Sequence, residues 1–307
     1  MVGKLWTIID VLKWTTGYFE QKGIDQPRAT AEVLLAHALG VERIQLYLHY
    51  DRPLDNKELK QFRALIQRRV AREPTQYITG RQEFWSLELE VTPAVLIPRP
   101  ETEVLVETTL GLGKNELPIR VLDLATGSGA IAIALAHERP SWIVFASDIS
   151  FEALKVASRN ARRHGLERNI HFVTMDLFEA ISPRSLFDII VANLPYVSER
   201  EFPELVPEIT MYEPKHALLG GGDDGLGTIR NAIYVAHKFL KPEGYILLEI
   251  GMGQASILES QLKDNPYYTN PVFVKDYSGI LRVLCLRKRA ISDSSLRGQS
   301  SGASTVG

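Results

Sequence analysis

Apolar positions along the chain follow two different periods, and the change between them falls near residue 75. Before it the spacing is helical. Asp25 with Pro27 behind it signals a helix start and Gly40 a stop, around Val33, Leu34, Leu35, Ala38 and Leu39. Asp55 opens a second helix, in which Leu59, Phe62, Leu65, Ile66 and Val70 recur every three or four positions. Residues 82–91 alternate instead: Phe84, then Trp85, Leu87, Leu89 and Val91 share a face against Ser86, Glu88 and Glu90, which predicts a hairpin or edge strand. The prolines from Pro93 to Pro100 exclude a helix interior and predict a connector into a helix beginning near Glu101. From Ile119 onward, β-rich apolar runs at 119–124, 142–147, 170–174, 187–192 and 245–250 mostly have amphipathic helices between them. That alternation predicts an α/β fold with a parallel sheet covered on both faces. Two final runs, 272–274 and 281–286, are split by Tyr277-Ser278-Gly279 and predict two strands joined by a turn. The resulting scheme is a helical region over 1–75, a hairpin and connector over 76–100, an α/β domain over 101–289, and a Ser-, Gly- and Thr-rich tail over 290–307 expected to be disordered.

Composition narrows the function classes. The 307 residues are 45% hydrophobic, enough for a full core, and carry 35 basic against 37 acidic side chains, a net charge of −2. A protein that works mainly by gripping nucleic-acid backbone is far more basic, so direct nucleic-acid binding is not expected. The first 80 residues nevertheless hold a charge of +3 against −5 for the rest, with Arg63, Arg68, Arg69 and Arg72 close together. They form either a solvated helix face or a surface for an acidic partner. The single cysteine, Cys285, excludes an internal disulfide and is expected in the core. No uncharged apolar stretch approaches the ~18 residues of a membrane helix, and Asp10 interrupts the first apolar residues too early for a secretory leader. A cytoplasmic, monomeric protein without membrane contact is expected, and the seven histidines show no metal-ligand pairing.

The candidate chemistry sits at strand ends. Run 119–124 leads into Asp123-Leu124-Ala125-Thr126-Gly127-Ser128-Gly129-Ala130 and then a helix. Gly127 and Gly129 let the backbone turn tightly against a ligand, and the helix start offers unpaired N–H groups. Asp148 ends the next strand, placed to accept from ribose hydroxyls, and Asp176 with Leu177 follows the third, either where an adenine would lie or as a surface turn. Residues 127–132 also satisfy the G-x-G-x-x-A dinucleotide fingerprint. Asp123 argues against that: a carboxylate before the glycines repels a pyrophosphate and attracts an ammonium group, such as the methionine end of S-adenosylmethionine.

The fourth run ends at Asn193-Leu194-Pro195-Tyr196. Ligands in open α/β sheets bind at these carboxyl ends, so the tetrapeptide should lie beside the cofactor loop. An amide or aromatic –NH₂ is a poor nucleophile because its lone pair is delocalised. The Asn193 side-chain oxygen and the Leu194 carbonyl can accept its two hydrogens and turn the lone-pair face toward an electrophilic methyl. Pro195 biases Leu194 to an extended backbone, and Tyr196 can pack on a planar group. Proximity and orientation then carry much of the rate.

Asp123 to Ala130, Asn193 to Tyr196 and Ile97-Pro98-Arg99-Pro100-Glu101-Thr102-Glu103 together resemble the HemK-type release factor glutamine methyltransferases, over residues 5–288 and including Gly80-x-x-Glu83-Phe84-Trp85. The resemblance implies a Rossmann-like class I methyltransferase sheet, mostly parallel with an antiparallel C-terminal hairpin, behind a small helical domain that docks substrate. It implies N5-methylation of the glutamine in the Gly-Gly-Gln motif of class 1 peptide chain release factors, with S-adenosylmethionine as donor. Carried over residue by residue, it puts the methionine end on Ala125, Thr126, Gly127, Ser128 and Gly129, the ribose on Asp148 and the glutamine amide on Asn193 to Tyr196. Ala125 stands where the family usually has Gly, and Leu194 where it usually has Pro. An adenine amino-methyltransferase shares Asn-x-Pro-Tyr and is the alternative, as is a ribosomal protein glutamine as substrate. A nicotinamide oxidoreductase leaves Asn193 to Tyr196 unexplained, and a module that docks on a translation factor without catalysis is the non-enzymatic reading. Arg99, Glu101 and Glu103 line the site mouth or form a charge cluster at a helix start. Gly220 to Gly225 reads as a flexible connector, because the Lys-Ser/Thr of a phosphate loop is missing.

Overall fold

The structure, a computed structural model, describes residues 5–113 and 118–290; the tail beyond, from Ile291, lies outside them. Five helices come first: α1 (Ile8–Gln21), α2 (Pro27–Leu39), α3 (Arg43–Leu48), α4 (Asn56–Val70) and α5 (Thr75–Thr79). Capping boxes start α1 and α4, Thr7 with Asp10 and Asp55 with Glu58. Pro27 opens α2 behind a left-handed Gln26, and a left-handed Gly40 ends it. Leu34, Leu35, Phe19, Phe62 and Ile66 share one buried cluster that reaches as far as Ile78.

Of the four arginines near α4, Arg63 and Arg68 stay exposed as a solvated face, while Arg69 and Arg72 turn inward. Arg68 pairs with Glu73 at 2.5 Å, and Arg72 donates to the carbonyls of Lys22 and Gly23. Arg69, only 5% exposed, bonds Glu208 at 2.8 Å, and Arg72 reaches the same carboxylate at 3.4 Å. Arg69 and Arg72 hold the helical region to the segment around Glu208. Removing Glu208 would strand a buried guanidinium, a loss of about 3–5 kcal/mol in comparable sites.

A two-stranded hairpin follows, β1 (Arg81–Phe84) and β2 (Leu87–Glu90). Phe84 pairs with Leu87, so Trp85 and Ser86 are the turn itself, at φ 53° and 57°. Both central residues are left-handed, as in the type I′ turn that matches strand twist in two-residue hairpins. The expected alternation therefore breaks at Trp85. Its backbone N–H donates to Glu103 at 2.8 Å and its indole N–H to Glu138 at 2.9 Å, which fastens the hairpin to the α/β domain.

That domain contains β3 (Arg120–Leu124), β4 (Ile143–Asp148), β5 (Ile170–Thr174), β6 (Phe187–Ala192), β7 (Leu240–Glu249), β8 (Val272–Lys275) and β9 (Leu281–Arg287). The order across the sheet is β5-β4-β3-β6-β7-β9-β8. Pairs from β5 to β7 are parallel, and β9 is antiparallel to both neighbours. One face is covered by α6 (Glu103–Leu112), α7 (Ala130–Glu138) and α8 (Phe151–Arg163). The other carries α10 (Gly227–Ala236) and α11 (Gln254–Leu262), after a short α9 (Pro207–Tyr212) that holds Glu208. Side chains alternate between the two cores: Val121, Ile189 and Val191 belong to one, Leu122, Ile190 and Ala192 to the other. Cys285 is buried in the first, as expected.

The topology brings the two motifs together. The chain leaves β3 for β4 on one side, while β6 pairs on the other, so a crevice opens at their carboxyl ends. Leu124 is in register with Ala192. The next residues, Ala125 and Asn193, begin the two loops side by side.

Candidate active site

A cavity of about 240 Å³ fills this crevice. Of the sequence-predicted residues, Ala125, Thr126, Gly127, Ser128, Asp148, Asp176, Leu177, Asn193, Leu194 and Pro195 line it; Gly129 and Tyr196 do not. A Cβ on Gly127 would meet nothing within 4 Å, so the loop stands open there. Gly129 serves packing: at φ 85° its Cβ would press on Ile133 and Ala157, where α7 meets α8.

Two acids organise the loop in different ways. Asp148 accepts from Gly127 N at 2.9 Å and Ser150 N at 2.8 Å, and still borders the cavity. Burial raises its carboxyl above the usual range, opposed by those N–H groups and by His216. Asp123 does not reach the cavity, contrary to the expectation that it meets a ligand's ammonium. It is fully buried, accepting from Thr126 Oγ1 at 2.6 Å and Ala132 N at 3.1 Å. Burial lifts it to about 7, and its Oδ1 has no hydrogen-bond partner. It ties the loop to the start of α7.

The reaction motif is held from behind. Asn193 Nδ2 donates to Thr102 Oγ1 at 3.1 Å, and Thr102 donates to Glu249 at 2.6 Å. The Tyr196 hydroxyl donates to the other Glu249 oxygen at 3.2 Å, and burial pushes that phenol up. The Tyr196 ring passes so close to Gly251 that a Cβ there would touch it at 3.1 Å. Leu194 packs at 1% exposure into the core under β6, so this position carries a core side chain as well as a carbonyl.

The glycine-rich segment is not a flexible connector. Cβ atoms on Gly220 and Gly225 would run into the backbone of Pro195 and Tyr196. The segment is a close-fitting cradle for the motif, and only glycine permits that approach. Gln254 locks it, donating to the carbonyls of Tyr196 at 2.9 Å and Asp224 at 3.0 Å. At the mouth, Arg99 pairs with the buried Glu213 at 2.5 Å, and Glu213 also accepts from Ile97 N at 3.2 Å. Glu103 is taken by the hairpin, and of this segment Pro98 and Thr102 border the cavity.

Comparison with known proteins decides the family. Residues 10–80 match the PrmC N-terminal domain, and residues 101–238 the methyltransferase small domain. The release factor glutamine methyltransferase of Geobacter sulfurreducens is 44% identical over 82% of this chain and 87% of its own length. That of Rhodopirellula baltica is 37% identical over 92% of this chain and 97% of its own. The chain belongs to the release factor glutamine methyltransferase family. A solved methyltransferase from Pyrococcus furiosus, 16% identical with a TM-score of 0.50 over 75% of this chain and 98% of its own, shares the fold.

For this release factor glutamine methyltransferase family member, the departure at position 125 has a measurable consequence. Ala125 sits at φ 55°, where an L-residue is strained by roughly 1–2 kcal/mol and glycine is not. Ala125→Gly is therefore expected to stabilise the protein by up to about 1 kcal/mol, the reverse of the usual sign, once glycine's extra unfolded-state entropy is deducted. Urea denaturation checks this; a loss of 1 kcal/mol or more would refute it. Sequence reasoning missed Thr102, Glu213 and Glu249 as site residues. Glu249 carried a readable signal, an acid at the carboxyl end of an apolar strand, the same sign that marked Asp148.

Proposed function

We propose that this protein transfers a methyl group from S-adenosylmethionine to the side-chain amide nitrogen of the glutamine in the Gly-Gly-Gln motif of class 1 release factors. One observation carries the reading: the open loop at Gly127 and the Asn193 amide, its Nδ2 already spent on Thr102, border one cavity.

The residues present fit the cofactor. The Asp148 carboxylate has lone pairs left for ribose hydroxyls, the loop backbone at Gly127 is open to the methionine end, and Ile149, Met175 and Leu177 offer apolar surface to an adenine. When bound, the cofactor supplies an electrophilic methyl on a sulfonium. Asn193 Oδ1 and the Leu194 carbonyl accept the two amide hydrogens of the substrate and turn the nitrogen's lone-pair face to that methyl. With the cofactor bound, transfer would exchange its S–C bond for an N–C bond on the nitrogen that Asn193 and Leu194 hold, and that nitrogen would lose one proton to solvent. No strong base is required before transfer, and Glu249, engaged by Thr102 and Tyr196, is not placed to act as one. Labelled methyl transfer to purified release factor, with peptide mapping, tests the function; label on any residue other than the motif glutamine would refute it.

Asp148→Ala should weaken S-adenosylhomocysteine binding by about 1–3 kcal/mol, the loss of charge-assisted hydrogen bonds. An unchanged calorimetric dissociation constant would remove Asp148 from the site. We further infer that the helical region docks the body of the release factor. Between α1 and α4 it has a groove of about 470 Å³ edged by Trp14, which is 53% exposed and stacked on Tyr18. Trp14→Ala should raise KM for intact release factor about tenfold, as loss of an aromatic anchor does, and leave KM for a Gly-Gly-Gln peptide unchanged. Equal shifts for both substrates would argue against docking. We read the protein as a cytoplasmic monomer acting on protein rather than nucleic acid; among the described residues no helix is long and apolar enough to cross a membrane. Sedimentation at micromolar concentration tests the monomer.

A further inference from the structure

Glu249 ends β7 at 1% exposure beside the reaction motif, and methyl transfer as derived above gives it no direct part. Both of its oxygens are engaged, Oε2 by Thr102 Oγ1 at 2.6 Å and Oε1 by the Tyr196 hydroxyl at 3.2 Å. Thr102 Oγ1 in turn accepts from Asn193 Nδ2 at 3.1 Å. The direction of this chain is not free. An ionised carboxylate only accepts, a hydroxyl has one proton to give, and an amide has a donor end and an acceptor end. With Glu249 ionised, the Thr102 proton points at it, and Thr102 has only lone pairs left for Asn193. Only the Nδ2 end can meet them. Oδ1 is then the end left for substrate, and among the described residues no group hydrogen-bonds it.

We propose that Glu249 and Thr102 are positioning residues that set which end of the Asn193 amide faces the substrate. The inference rests on the glutamine methylation proposed above and names what orients its acceptor. A half-turn about χ2 exchanges Oδ1 and Nδ2 with almost no change of shape, so packing alone cannot choose between them. The wrong choice would set Nδ2 against the substrate –NH₂, donor against donor, with no side-chain acceptor. The relay chooses. A neutral group whose donor end faces Thr102 from position 249 reverses it: that group donates to Thr102, the Thr102 proton is freed for Asn193 Oδ1, and Nδ2 turns outward. The charged groups facing Glu249 are Arg282 from β9, itself paired with Asp276, and Glu101 from the turn before α6. Burial pushes the Glu249 carboxyl up and Glu101 adds to this, while Thr102, Arg282 and Tyr196 oppose it. Protonation in acid therefore reverses the relay above the ordinary glutamate range.

The test compares full-length Glu249→Gln, Thr102→Val and Thr102→Ser with wild type, by methylation of a class 1 release factor and by S-adenosylhomocysteine calorimetry. Glu249→Gln and Thr102→Val should lower kcat by about ten- to a hundredfold, the scale of a misaligned reacting group, with KM and cofactor affinity nearly unchanged. Thr102→Ser should recover most of what Thr102→Val loses, and wild-type kcat should fall along an acid limb that Glu249→Gln lacks. Glu249→Gln turning over like wild type would overturn the proposal, as would equal turnover of the two threonine variants. If Glu249→Gln does not fold, the threonine pair decides. A wild type that binds S-adenosylhomocysteine yet methylates no glutamine would overturn the proposed function instead. The relay is then read from asparagine-labelled protein by NMR. Asn193 Nδ2 protons lie near Thr102 in wild type and should leave it in Glu249→Gln (or in Thr102→Val); their persistence there overturns the relay.

Discussion

Replacing Asn193 by alanine is expected to cut methyl transfer roughly a hundredfold, the scale on which a misplaced reacting group costs rate, while S-adenosylhomocysteine affinity stays within about threefold, or ~0.6 kcal/mol. The amide nitrogen of glutamine attacks only when its lone-pair face is turned to the methyl, and Asn193 Oδ1 is one of the two acceptors that turn it. That interaction belongs to the transition state more than to binding, so its loss appears in kcat. The cofactor's own charged anchor in this reading is Asp148, 21 residues from the Gly127 N–H that it accepts, and the substitution leaves it in place. Truncation also strands a lone pair on Thr102, a small penalty beside the lost clamp. Single-turnover methylation with parallel calorimetry checks the split. Turnover within threefold of wild type would eliminate the amide clamp.

Asp123→Asn is expected to change how stability depends on pH. In the folded protein the Asp123 carboxyl holds its proton up to about 7, against an ordinary 3.8, chiefly because it is buried. Between those values the unfolded chain has released this proton and the folded chain has not. The unfolded state thus binds fewer protons, and stability falls as pH rises through the window. Below about pH 4 the group has no effect; above about pH 7 the full cost of burying its charge is present. At 1.36 kcal/mol per unit, three units amount to roughly 4 kcal/mol. Asparagine still accepts from Thr126 and Ala132, and its –NH₂ replaces an Oδ1 that already had no partner, an unpaired group worth about 1–3 kcal/mol. The stability difference, variant minus wild type, should therefore rise with pH between 4 and 7 and level off above. Urea denaturation across that range measures it, and parallel pH curves for the two proteins would show that Asp123 is not the titrating group.

Much of this protein was legible from its amino-acid order because the signals are local. Strand runs at 170–174 and 187–192 coincide with β5 and β6 to the residue. In β6 the buried run Ile189 to Ala192 is continuously apolar, as a strand covered on both faces requires. The edge strand β5 was marked by its β-branched and aromatic residues, although His171 and Thr174 are exposed. Asp55 and Gly40 announced helix ends through their own backbone and side-chain chemistry. The Gly127 loop and Asn193 to Tyr196 were readable as chemistry because each motif is contiguous, and the strand-end rule for α/β sheets put them on one edge. Trp85 was misread because two left-handed residues in a row leave no hydrophobic signature.

What tertiary structure alone decided concerns residues whose roles depend on partners far along the chain. Gly220 and Gly225 look like a loose linker until the backbone of Pro195 and Tyr196 is laid against them; glycine marks flexibility and close approach with the same letter. Arg69 meets Glu208 across 139 positions, and Thr102 meets Glu249 across 147, so no window of sequence contains either pair. Asp123 is the clearest case. Its place before the glycines was plain, but whether it faces ligand or core depends on which side of the sheet the pleat assigns it. Sequence determined which chemical groups stand at the strand ends, because local backbone preference and hydrophobic period act within a few residues. Orientation of those groups, down to which end of an amide faces the cavity, was left to the long-range contacts that close the fold.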